Sequence, residues 1–272
     1  MPELPEVENV KLSLTQLGTV GQRFDQVELR RKDLRVPFPK GLARDLKGQT
    51  LLSIQRRAKY LLFETEKYYL LSHLGMSGSW RPLASSALKT HDHVILKFVS
   101  GLELVFNDPR RFGILDLVMR AKLHDSRWLQ HLGVEPLTKD WSGEVLFKGT
   151  RKMKGPIKGF LMDQKRVVGV GNIYASEALY AAGVKPQRAA RLVTRAECEL
   201  IVSHVQRILS AAIQAGGSTI RDYRNSNGES GRFQNQFQVY DRANQPCHHC
   251  GRLIRAKVIA GRNTFWCPQC QR

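Results

Sequence analysis

The spacing of apolar residues near the start of the chain follows the period of an α-helix. Positions three and four residues apart share one helix face, so an apolar stripe at this spacing predicts a helix with one buried face. Pro5 suits the first turn of such a helix, and Gly18 follows its last apolar position. The stripe consists of Val7, Val10, Leu14 and Leu17.

Short runs of β-branched and aromatic residues then alternate with turn residues as far as residue 118. Many short strands with regularly spaced turn signals are typical of an all-β sandwich. We therefore expect an N-terminal β-sandwich that carries the first helix. The predicted strands are residues 24–29, 51–54, 60–65, 68–74, 93–99, 102–106 and 114–118.

The pattern changes again in the second half of the chain. Gly133, Pro136 and the polar residues up to Gly143 interrupt both periods, which indicates a linker. From Pro156 onward the apolar spacing is helical. The predicted helices are residues 157–164, 173–182 and 194–215, the last with a capping box of Thr194 and Glu197 and with Gly216 as its stop.

Together these patterns predict an α+β protein. At 272 residues the chain is long enough for two domains with separate hydrophobic cores. We expect the β-sandwich domain over residues 1–131 and a linker over 132–150. A helical domain follows over 151–236, and residues 237–272 return to short strands around four cysteines.

The charge balance indicates what kind of partner the protein binds. The 43 Lys and Arg residues outnumber the 24 Asp and Glu residues, which gives a net charge of +19 and a pI near 10.1. Such an excess favours a polyanionic partner, and nucleic acid is the first candidate. An anionic membrane surface, or charge that serves only solubility, stays as the alternative.

The apolar runs are too short for a membrane protein. None reaches the roughly 18 residues that span a bilayer, and the first residues lack the basic flank and apolar core of a signal peptide. We therefore expect a soluble, cytoplasmic protein without a membrane partner.

Four of the five cysteines form two C-x-x-C pairs, Cys247 with Cys250 and Cys267 with Cys270. In a reducing compartment such pairs indicate a metal site and not a disulfide framework. Four thiolates at this spacing fit one tetrahedral zinc ion, whose role is structural because no position is left open. Cys198, inside the long predicted helix, is interpreted as a core residue.

The first residues offer an unusual functional group. Removal of Met1 leaves Pro2 as a free secondary amine, and an α-amino group has a pKa of about 7.7–8.0, so part of it is unprotonated at neutral pH. Attack of this amine on a sugar carbon gives an iminium ion, which withdraws electrons from the neighbouring carbons. Glu3 lies beside it to move protons, and Glu6 follows one helical turn later. The structural alternative is that these acids only favour the start of a helix.

Two further segments suggest phosphate contacts. Residues 169–172 form a glycine-rich turn before a helix, which suits a phosphate, with Asn172 as the helix cap. The simpler alternative is that these glycines only form a tight turn before the helix. Residues 55–60 place three cations just before or at the start of a strand, where a solvated charge run is the alternative.

Two loops combine an apolar tip with a final glycine. Residues 73–78 contain Met76, and residues 108–113 contain Phe112 beside Arg110. Apolar wedges beside arginine suit a protein that enters a duplex and replaces a base taken out of the stack. The alternative is that both apolar side chains belong to the core.

These segments together resemble one family, the bacterial formamidopyrimidine-DNA glycosylases, which excise oxidised purines. The resemblance covers nearly the whole chain, with many separate motifs in the same order. The segments that carry it are residues 2–7, 55–60, 73–78, 91–93, 108–113, 168–177 and 238–240 and the zinc finger with Arg262.

The resemblance implies an N-terminal β-sandwich, a helix-two-turns-helix domain and a C-terminal β-hairpin zinc finger with one structural zinc ion. It further implies a monomer that binds double-stranded DNA in the cleft between its halves, in the bacterial cytoplasm. The implied substrates are oxidised purines, such as 8-oxoguanine and formamidopyrimidines, preferentially opposite cytosine. Base removal would be followed by β,δ-elimination of the strand.

The resemblance also assigns roles to the candidate catalytic residues. Pro2 would be the Schiff-base nucleophile at C1′, and Glu3 the general acid and base that opens the sugar. Lys59 would contact phosphate and move a proton in β-elimination, and Arg262 would contact phosphate and serve δ-elimination. Glu6 would help to hold the extruded base or the active-site water.

The remaining implied roles concern DNA binding. Arg110 would face the partner cytosine, while Met76 and Phe112 fill the gap left by the extruded base. The other implied DNA contacts are His91, Lys154, Asn172 and Tyr240. The loop that closes over the lesion would supply Ser218, Thr219, Arg221 and Tyr223 to the lesion pocket.

Three alternatives stay open. Relatives of the endonuclease VIII type share the N-terminal proline and the finger but prefer oxidised pyrimidines, and Leu4 with the wedge around Arg110 favours the purine group. A non-catalytic DNA-binding relative would not need the amine of Pro2. A zinc-ribbon RNA-binding protein leaves the N-terminal motif unexplained.

Two positions depart from the pattern of the family. Asp241 stands where glycine is common, which affects a turn near the DNA. Ser77 stands where some members carry a glutamate near the lesion pocket. Details of base recognition are therefore not transferred.

Overall fold

The computed structural model describes residues 2–83, 88–218 and 231–272, which belong to two compact units. One unit comprises Met1–Gln130 and Ala215–Arg232, and the other comprises His131–Gln214 and Phe233–Arg272. Residues 215–218, 231 and 232 thus pack with the N-terminal half, whereas the sequence pattern placed them with the helical domain. Apolar periodicity reports on local structure and does not show which core a connecting segment joins.

The first helix, α1 (Leu4–Gln16), forms as the apolar stripe predicts. Glu3 and Glu6 close its start with a reciprocal capping box, in which the Glu3 N–H donates to Glu6 Oε2 at 2.8 Å. This arrangement satisfies two of the backbone donors that a helix start otherwise leaves without partners. Val7, Val10 and Leu14 are fully buried in the core of the first unit.

The first unit is a sandwich of two antiparallel four-stranded sheets, which confirms the predicted class. The sheets have the strand orders β1-β6-β7-β5 and β2-β3-β4-β8. The strands are β1 (Phe24–Leu29), β2 (Ser53–Arg57), β3 (Tyr60–Glu64), β4 (Tyr68–His73), β5 (Ser79–Pro82), β6 (Asp92–Phe98), β7 (Glu103–Asn107) and β8 (Ile114–Met119). A short helix, α2 (Leu42–Leu46), packs near β1.

Strand β5 was not predicted, because it is short and ends in a proline. It brings Trp80 into the centre of the sandwich, where the Trp80 ring lies 5.0 Å from Phe106 and 5.5 Å from Phe63 between ring centroids. The indole N–H of Trp80 donates to Ser72 Oγ at 2.9 Å. The strand pairs with β7 along its four residues, and an alternating pattern over four residues carries little signal in the sequence.

The second unit contains four α-helices, α3 (Gly143–Thr150), α4 (Ile157–Met162), α5 (Asn172–Ala181) and α6 (Arg195–Gln214). Helix α3 lies within residues 132–150, for which the sequence indicated a linker. Ser142 caps it by accepting the Val145 N–H at 3.3 Å. Gly143 permits close packing, because a Cβ there would lie 2.8 Å from Glu199 Cα on α6. The sequence pattern placed Gly143 at the end of a linker, whereas the structure places it at a contact between two helices.

Helix α6 begins with the predicted capping box. The Thr194 N–H donates to Glu197 Oε2 at 2.8 Å, and the Glu197 N–H donates to Thr194 Oγ1 at 3.2 Å. Cys198 lies on the buried face, and burial raises the pKa of its thiol to about 11, which agrees with a core role. Among the helices that the structure describes, none combines the length and apolar character needed to cross a membrane.

The end of the chain forms a β-hairpin of β9 (Arg255–Ile259) and β10 (Arg262–Trp266) beside the cysteines. Its small core includes Val239, Ile254 and Phe265 together with cysteine side chains. This arrangement confirms a hairpin in the cysteine-rich segment.

Candidate functional site

The N-terminal residues of the first unit are buried, which is unusual for a chain start. Pro2 and Glu3 are both buried, and Glu3 is the last residue before helix α1. Two buried carboxylates, Glu3 and Glu6, therefore follow Pro2 by one and four residues at the start of α1. Such a cluster places proton-transfer groups next to a potential nucleophile.

Glu6 also holds a segment distant in the sequence. Its side chain is 2% exposed, and Oε1 accepts the Ser218 N–H at 2.8 Å while Oε2 accepts the Glu3 N–H. Backbone donors thus satisfy both oxygens of this buried carboxylate. The structure thus brings Ser218 to the N-terminal cluster. The other predicted pocket residues, Thr219, Arg221 and Tyr223, lie outside the described residues.

The basic segment 55–60 is not a solvated charge run. Arg56 belongs to β2 and its Nε donates to Glu8 Oε2 of α1 at 2.7 Å. Lys59 lies in the two-residue turn between β2 and β3 and is buried. The turn requires a left-handed backbone at Ala58, whose φ is 54°. Strand β2 extends further than predicted, so that Lys59 lies in the turn after β2 and not in a strand.

His73 and Arg35 join Lys59, and neither was a predicted site residue. The His73 ring packs against the Tyr60 ring with centroids 4.8 Å apart, and its Nδ1 accepts the Gly75 N–H at 3.0 Å. Burial, with the nearby charges of Lys59 and Arg35, lowers the pKa of His73 to about 4. A neutral imidazole beside two cations suits contact with an anion. The sequence signal was the position of His73 just before the glycine loop.

The two wedge loops present their apolar tips to solvent, so these side chains are not part of the core. Met76 is 41% exposed and Phe112 is 42% exposed. The guanidinium carbon of Arg110 lies 4.9 Å from the centroid of the Phe112 ring. The loops that carry these three side chains belong to the same unit.

His91 is exposed and immediately precedes β6, beside the buried carboxylate of Asp92. Asp92 Oδ2 accepts from Arg81 Nη2 at 2.5 Å and from the Lys89 N–H at 2.7 Å, while Oδ1 accepts from Asn107 Nδ2 at 2.8 Å. These bonds hold Asp92, the residue after His91, to β5, to β7 and to the segment that precedes β6.

In the second unit Asn172 is not the helix cap that we expected. Gly171 precedes α5 as its cap, and Asn172 is the first helical residue. Its Nδ2 donates to the Asn263 carbonyl at 2.9 Å, and its Oδ1 accepts from Lys158 Nζ at 2.5 Å. The side chain is therefore directed to the hairpin instead of to its own helix. The backbone N–H groups at the start of α5 still suit an anion.

Lys158 is a fully buried lysine that sequence analysis did not select. Its Nζ donates to Thr264 Oγ1 at 2.6 Å as well as to Asn172. One ammonium group thus joins α4, the start of α5 and strand β10. The available signal was a single charge within the otherwise apolar helix α4.

Glu177 is a second buried charge that was missed, and it is the only charged residue of α5. Its carboxylate accepts the N–H groups of Gln238, Val239 and Tyr240 at 2.9, 3.0 and 2.8 Å. Burial raises the pKa of Glu177, and these three bonds oppose that effect. Glu177 thereby fixes the backbone of Tyr240. The following Asp241 adopts a left-handed backbone with φ of 57°, which explains why a glycine suits this turn.

The four finger cysteines form a compact cluster. Their Sγ atoms all lie within 4.8 Å of one another, with 3.4 Å between Cys250 and Cys267 and 3.9 Å between Cys247 and Cys270. The edge of a tetrahedron with Zn–S bonds of about 2.3 Å is about 3.8 Å long, so the cluster fits one zinc ion. The four cysteines can therefore hold one structural zinc ion.

Two groups outside the cysteines support this cluster. The Tyr180 hydroxyl, near the end of α5, lies 3.2 Å from Cys247 Sγ. With zinc bound, the Cys247 thiolate could only accept, so the hydroxyl would be the donor. Gln271 Oε1 accepts the Cys267 N–H at 2.9 Å, and its Nε2 donates to the Val184 carbonyl at 2.9 Å. These bonds attach the finger to the end of α5.

The last two predicted contacts are exposed side chains of the second unit. Lys154 precedes α4, and Arg262 is the first residue of β10. The carbonyl of Asn263, the residue after Arg262, accepts from Asn172 Nδ2 at 2.9 Å, so Asn172 binds the hairpin next to Arg262.

Comparison with known proteins gives matches over most of the chain. The Formamidopyrimidine-DNA glycosylase N-terminal domain matches residues 1–115, and the Formamidopyrimidine-DNA glycosylase H2TH domain matches residues 132–224. A zinc finger found in FPG and IleRS matches residues 244–272.

Curated relatives and solved structures agree with these matches. The chain is 48% identical over 272 residues to the formamidopyrimidine-DNA glycosylase of Bdellovibrio bacteriovorus and 45% identical over 273 residues to that of Syntrophotalea carbinolica, with full coverage of both chains in each case. The MutM (FPG) protein of Thermus thermophilus has a TM-score of 0.89 at 38% identity and covers 99% of this chain and 98% of its own. Lactococcus lactis Fpg in complex with an abasic site containing DNA has a TM-score of 0.90 at 34% identity and 99% coverage of both chains.

Proposed function

Because this chain belongs to the family of formamidopyrimidine-DNA glycosylases, we propose that it is a base excision repair enzyme that removes oxidised purines from duplex DNA and then cleaves the strand. The observation that carries the proposal is the sequence identity of 48% and 45%, over the full length of both chains, with two enzymes of that name. The solved relatives in complex with lesion-containing or abasic DNA support a double-stranded DNA partner. The net charge of +19 suits the phosphate backbone.

The buried N-terminal cluster supports the proposed chemistry. With Met1 removed, the nitrogen of Pro2 bonds to C1′ of the damaged nucleotide, and the bond from C1′ to the base breaks. The electron pair leaves with the base, which takes up a proton. Glu3 opens the sugar ring as general acid and base. The resulting iminium is positively charged without any proton on nitrogen, so it withdraws electrons at every pH.

Strand cleavage follows from that iminium. Loss of a proton from C2′ expels the 3′ phosphate, and a second elimination expels the 5′ phosphate, which leaves a one-nucleotide gap with phosphate ends. Lys59, buried beside His73, is proposed to contact phosphate and to move the proton of the first elimination. Arg262, exposed on the hairpin, is proposed to act in the second elimination.

The other candidate residues are proposed to bind DNA and the lesion. Glu6 and Ser218 form one side of the lesion pocket, supported by the bond between them. Arg110 contacts the partner cytosine while Met76 and Phe112 fill the gap in the stack. The residues proposed to contact the DNA backbone are His91, Lys154, Asn172 and Tyr240. Arg35, from the cluster around His73, is proposed as a further contact.

The zinc ion supplies structure and no step of the reaction. Held by the four cysteines, it rigidifies the base of the hairpin that carries Arg262. Since the curated relatives are bacterial and the substrate is chromosomal DNA, the bacterial cytoplasm is the proposed place of action.

Borohydride trapping tests the proposal. The substrate is a labelled duplex with one 8-oxoguanine opposite cytosine, with thymine-glycol and undamaged duplexes as controls. We expect a covalent adduct that maps to Pro2 on the 8-oxoguanine duplex. Pro2→Gly should lose strand cleavage by about tenfold or more, because a primary amine gives an imine that needs a proton to become an electron sink.

The matched control is Pro37→Gly, at an exposed proline of the same unit, which should cleave at the normal rate. Intact mass must show that Met1 is absent from each protein. An unchanged rate for Pro2→Gly would refute the assignment of the nucleophile. Trapping on thymine glycol alone would assign the chain to the pyrimidine-specific group.

A further inference from the structure

A buried carboxylate connects the two wedge loops. Asp108 follows β7 and is fully buried. Its Oδ1 accepts the Ser77 hydroxyl at 2.6 Å, and its Oδ2 accepts the Gly113 N–H at 2.7 Å. Ser77 Oγ in turn accepts the Arg110 N–H at 3.1 Å. These three bonds form a continuous path from the loop of Met76 to the loop of Arg110.

The loop backbones also touch directly. A Cβ on Gly75 would lie 2.4 Å from the carbonyl carbon of Phe112, closer than any side chain tolerates. Gly75 also has φ of 62°, which favours glycine. Arg111 has φ of 56°, and such a strained residue persists only where the surrounding structure fixes it. The second loop is therefore held in one conformation against the first.

The backbone of Asp108 reaches the third DNA-contacting segment. Its N–H donates to the His91 carbonyl at 3.0 Å, and its carbonyl lies 3.0 Å from Nε2 of His93. The same carbonyl accepts the Arg111 N–H at 3.2 Å. Asp108 thus contacts every segment of the first unit that carries a proposed wedge or His91, and it is itself shielded from solvent.

We propose that Asp108 and Ser77 are positioning residues that hold Met76, Arg110 and Phe112 as one wedge assembled before DNA binds. This inference rests on the proposed function, because it concerns the step in which the base is displaced. Ordering two separate loops on the DNA would cost conformational entropy at the moment of binding. A wedge that is already assembled avoids that cost, and its tips remain free to enter the stack.

Ser77→Ala tests the proposal, because it removes only the hydroxyl that links the loops. The first readout is stopped-flow fluorescence of a 2-aminopurine next to an 8-oxoguanine opposite cytosine, which reports unstacking. We expect Ser77→Ala to slow this phase by about tenfold. Cleavage of a single-stranded abasic oligonucleotide should change less than about twofold, because no paired base is displaced there.

Two further variants make the comparison specific. Ser77→Thr keeps the hydroxyl and should restore the unstacking rate. Ser79→Ala, at a neighbouring half-buried serine whose hydroxyl has no hydrogen-bond partner among the described residues, should behave as the unmodified protein. Thermal melting of all four proteins verifies that each is folded.

The outcomes separate this inference from the proposed function. An unmodified protein that cleaves neither substrate would overturn the proposed function and the inference with it. An active protein whose unstacking rate is unaffected by Ser77→Ala would overturn the preassembled wedge alone. Equal losses on the duplex and on the single strand would also overturn it, since they would place the defect in the chemistry or the fold.

Discussion

Glu177 provides the sharpest test of how the second unit holds its DNA-binding surface. This buried carboxylate accepts three consecutive backbone N–H groups, from Gln238, Val239 and Tyr240. In Glu177→Gln the amide oxygen can keep the two bonds of Oε1, to Val239 and Tyr240. The new NH2 group then faces the N–H of Gln238, so two donors oppose each other.

The magnitude follows from the bonds that each variant loses. Glu177→Gln loses one hydrogen bond to a charged group, which is about 1.5–3 kcal/mol of unfolding free energy. Glu177→Ala loses all three and leaves these N–H groups without their acceptor, for which we expect roughly 3 kcal/mol or more, since each buried donor left without a partner costs about 1–3 kcal/mol. Because burial raises the pKa of Glu177, part of the gain from the bonds already offsets desolvation, and the losses are not a simple sum.

Urea unfolding at pH 7, followed by circular dichroism, measures these differences. Glu199→Gln, at an exposed glutamate on α6, is the matched control and should stay within about 0.5 kcal/mol. The Glu177 variants should also weaken DNA binding, because Tyr240 loses its fixed backbone. If Glu177→Gln unfolds within about 0.5 kcal/mol of the unmodified protein, the three bonds do not stabilise the finger and this reasoning fails.

Two further predictions concern His73 and Tyr180. The fold lowers the pKa of His73 from 6.5 to about 4, so the folded state favours the neutral ring. The folding stability that depends on a neutral His73 is therefore present above pH 6.5 and is lost as the pH falls toward 4. The unmodified protein should therefore lose roughly 2–3 kcal/mol more than His73→Asn between pH 7.5 and 4.5 in urea unfolding, and parallel pH profiles would contradict this. Tyr180→Phe removes only the hydroxyl beside Cys247, so zinc should pass to a colorimetric chelator about tenfold faster, whereas equal release rates would exclude a supporting role.

The sequence alone determined the elements whose signal is local. The apolar stripe of α1, most strands of the sandwich and the capping box of α6 depend on residues close together in the chain, and the structure has them as predicted. The metal site of the paired cysteines was equally predictable from the sequence, because metal ligation requires fixed residue types at short spacing. The family resemblance rested on motifs of this local kind.

Only the tertiary structure decided which buried polar groups meet. Ser77 and Asp108 are 31 residues apart, Lys158 and Thr264 are 106 apart, and no periodicity relates either pair. The side chain of Asn172 was predicted to cap its own helix, but a distant ammonium and a distant carbonyl hold it. A local pattern predicts a helix or strand because the periodicity that marks it runs through consecutive residues. A buried charge instead takes whichever donors the folded chain brings to it, and that choice is made only when distant segments pack.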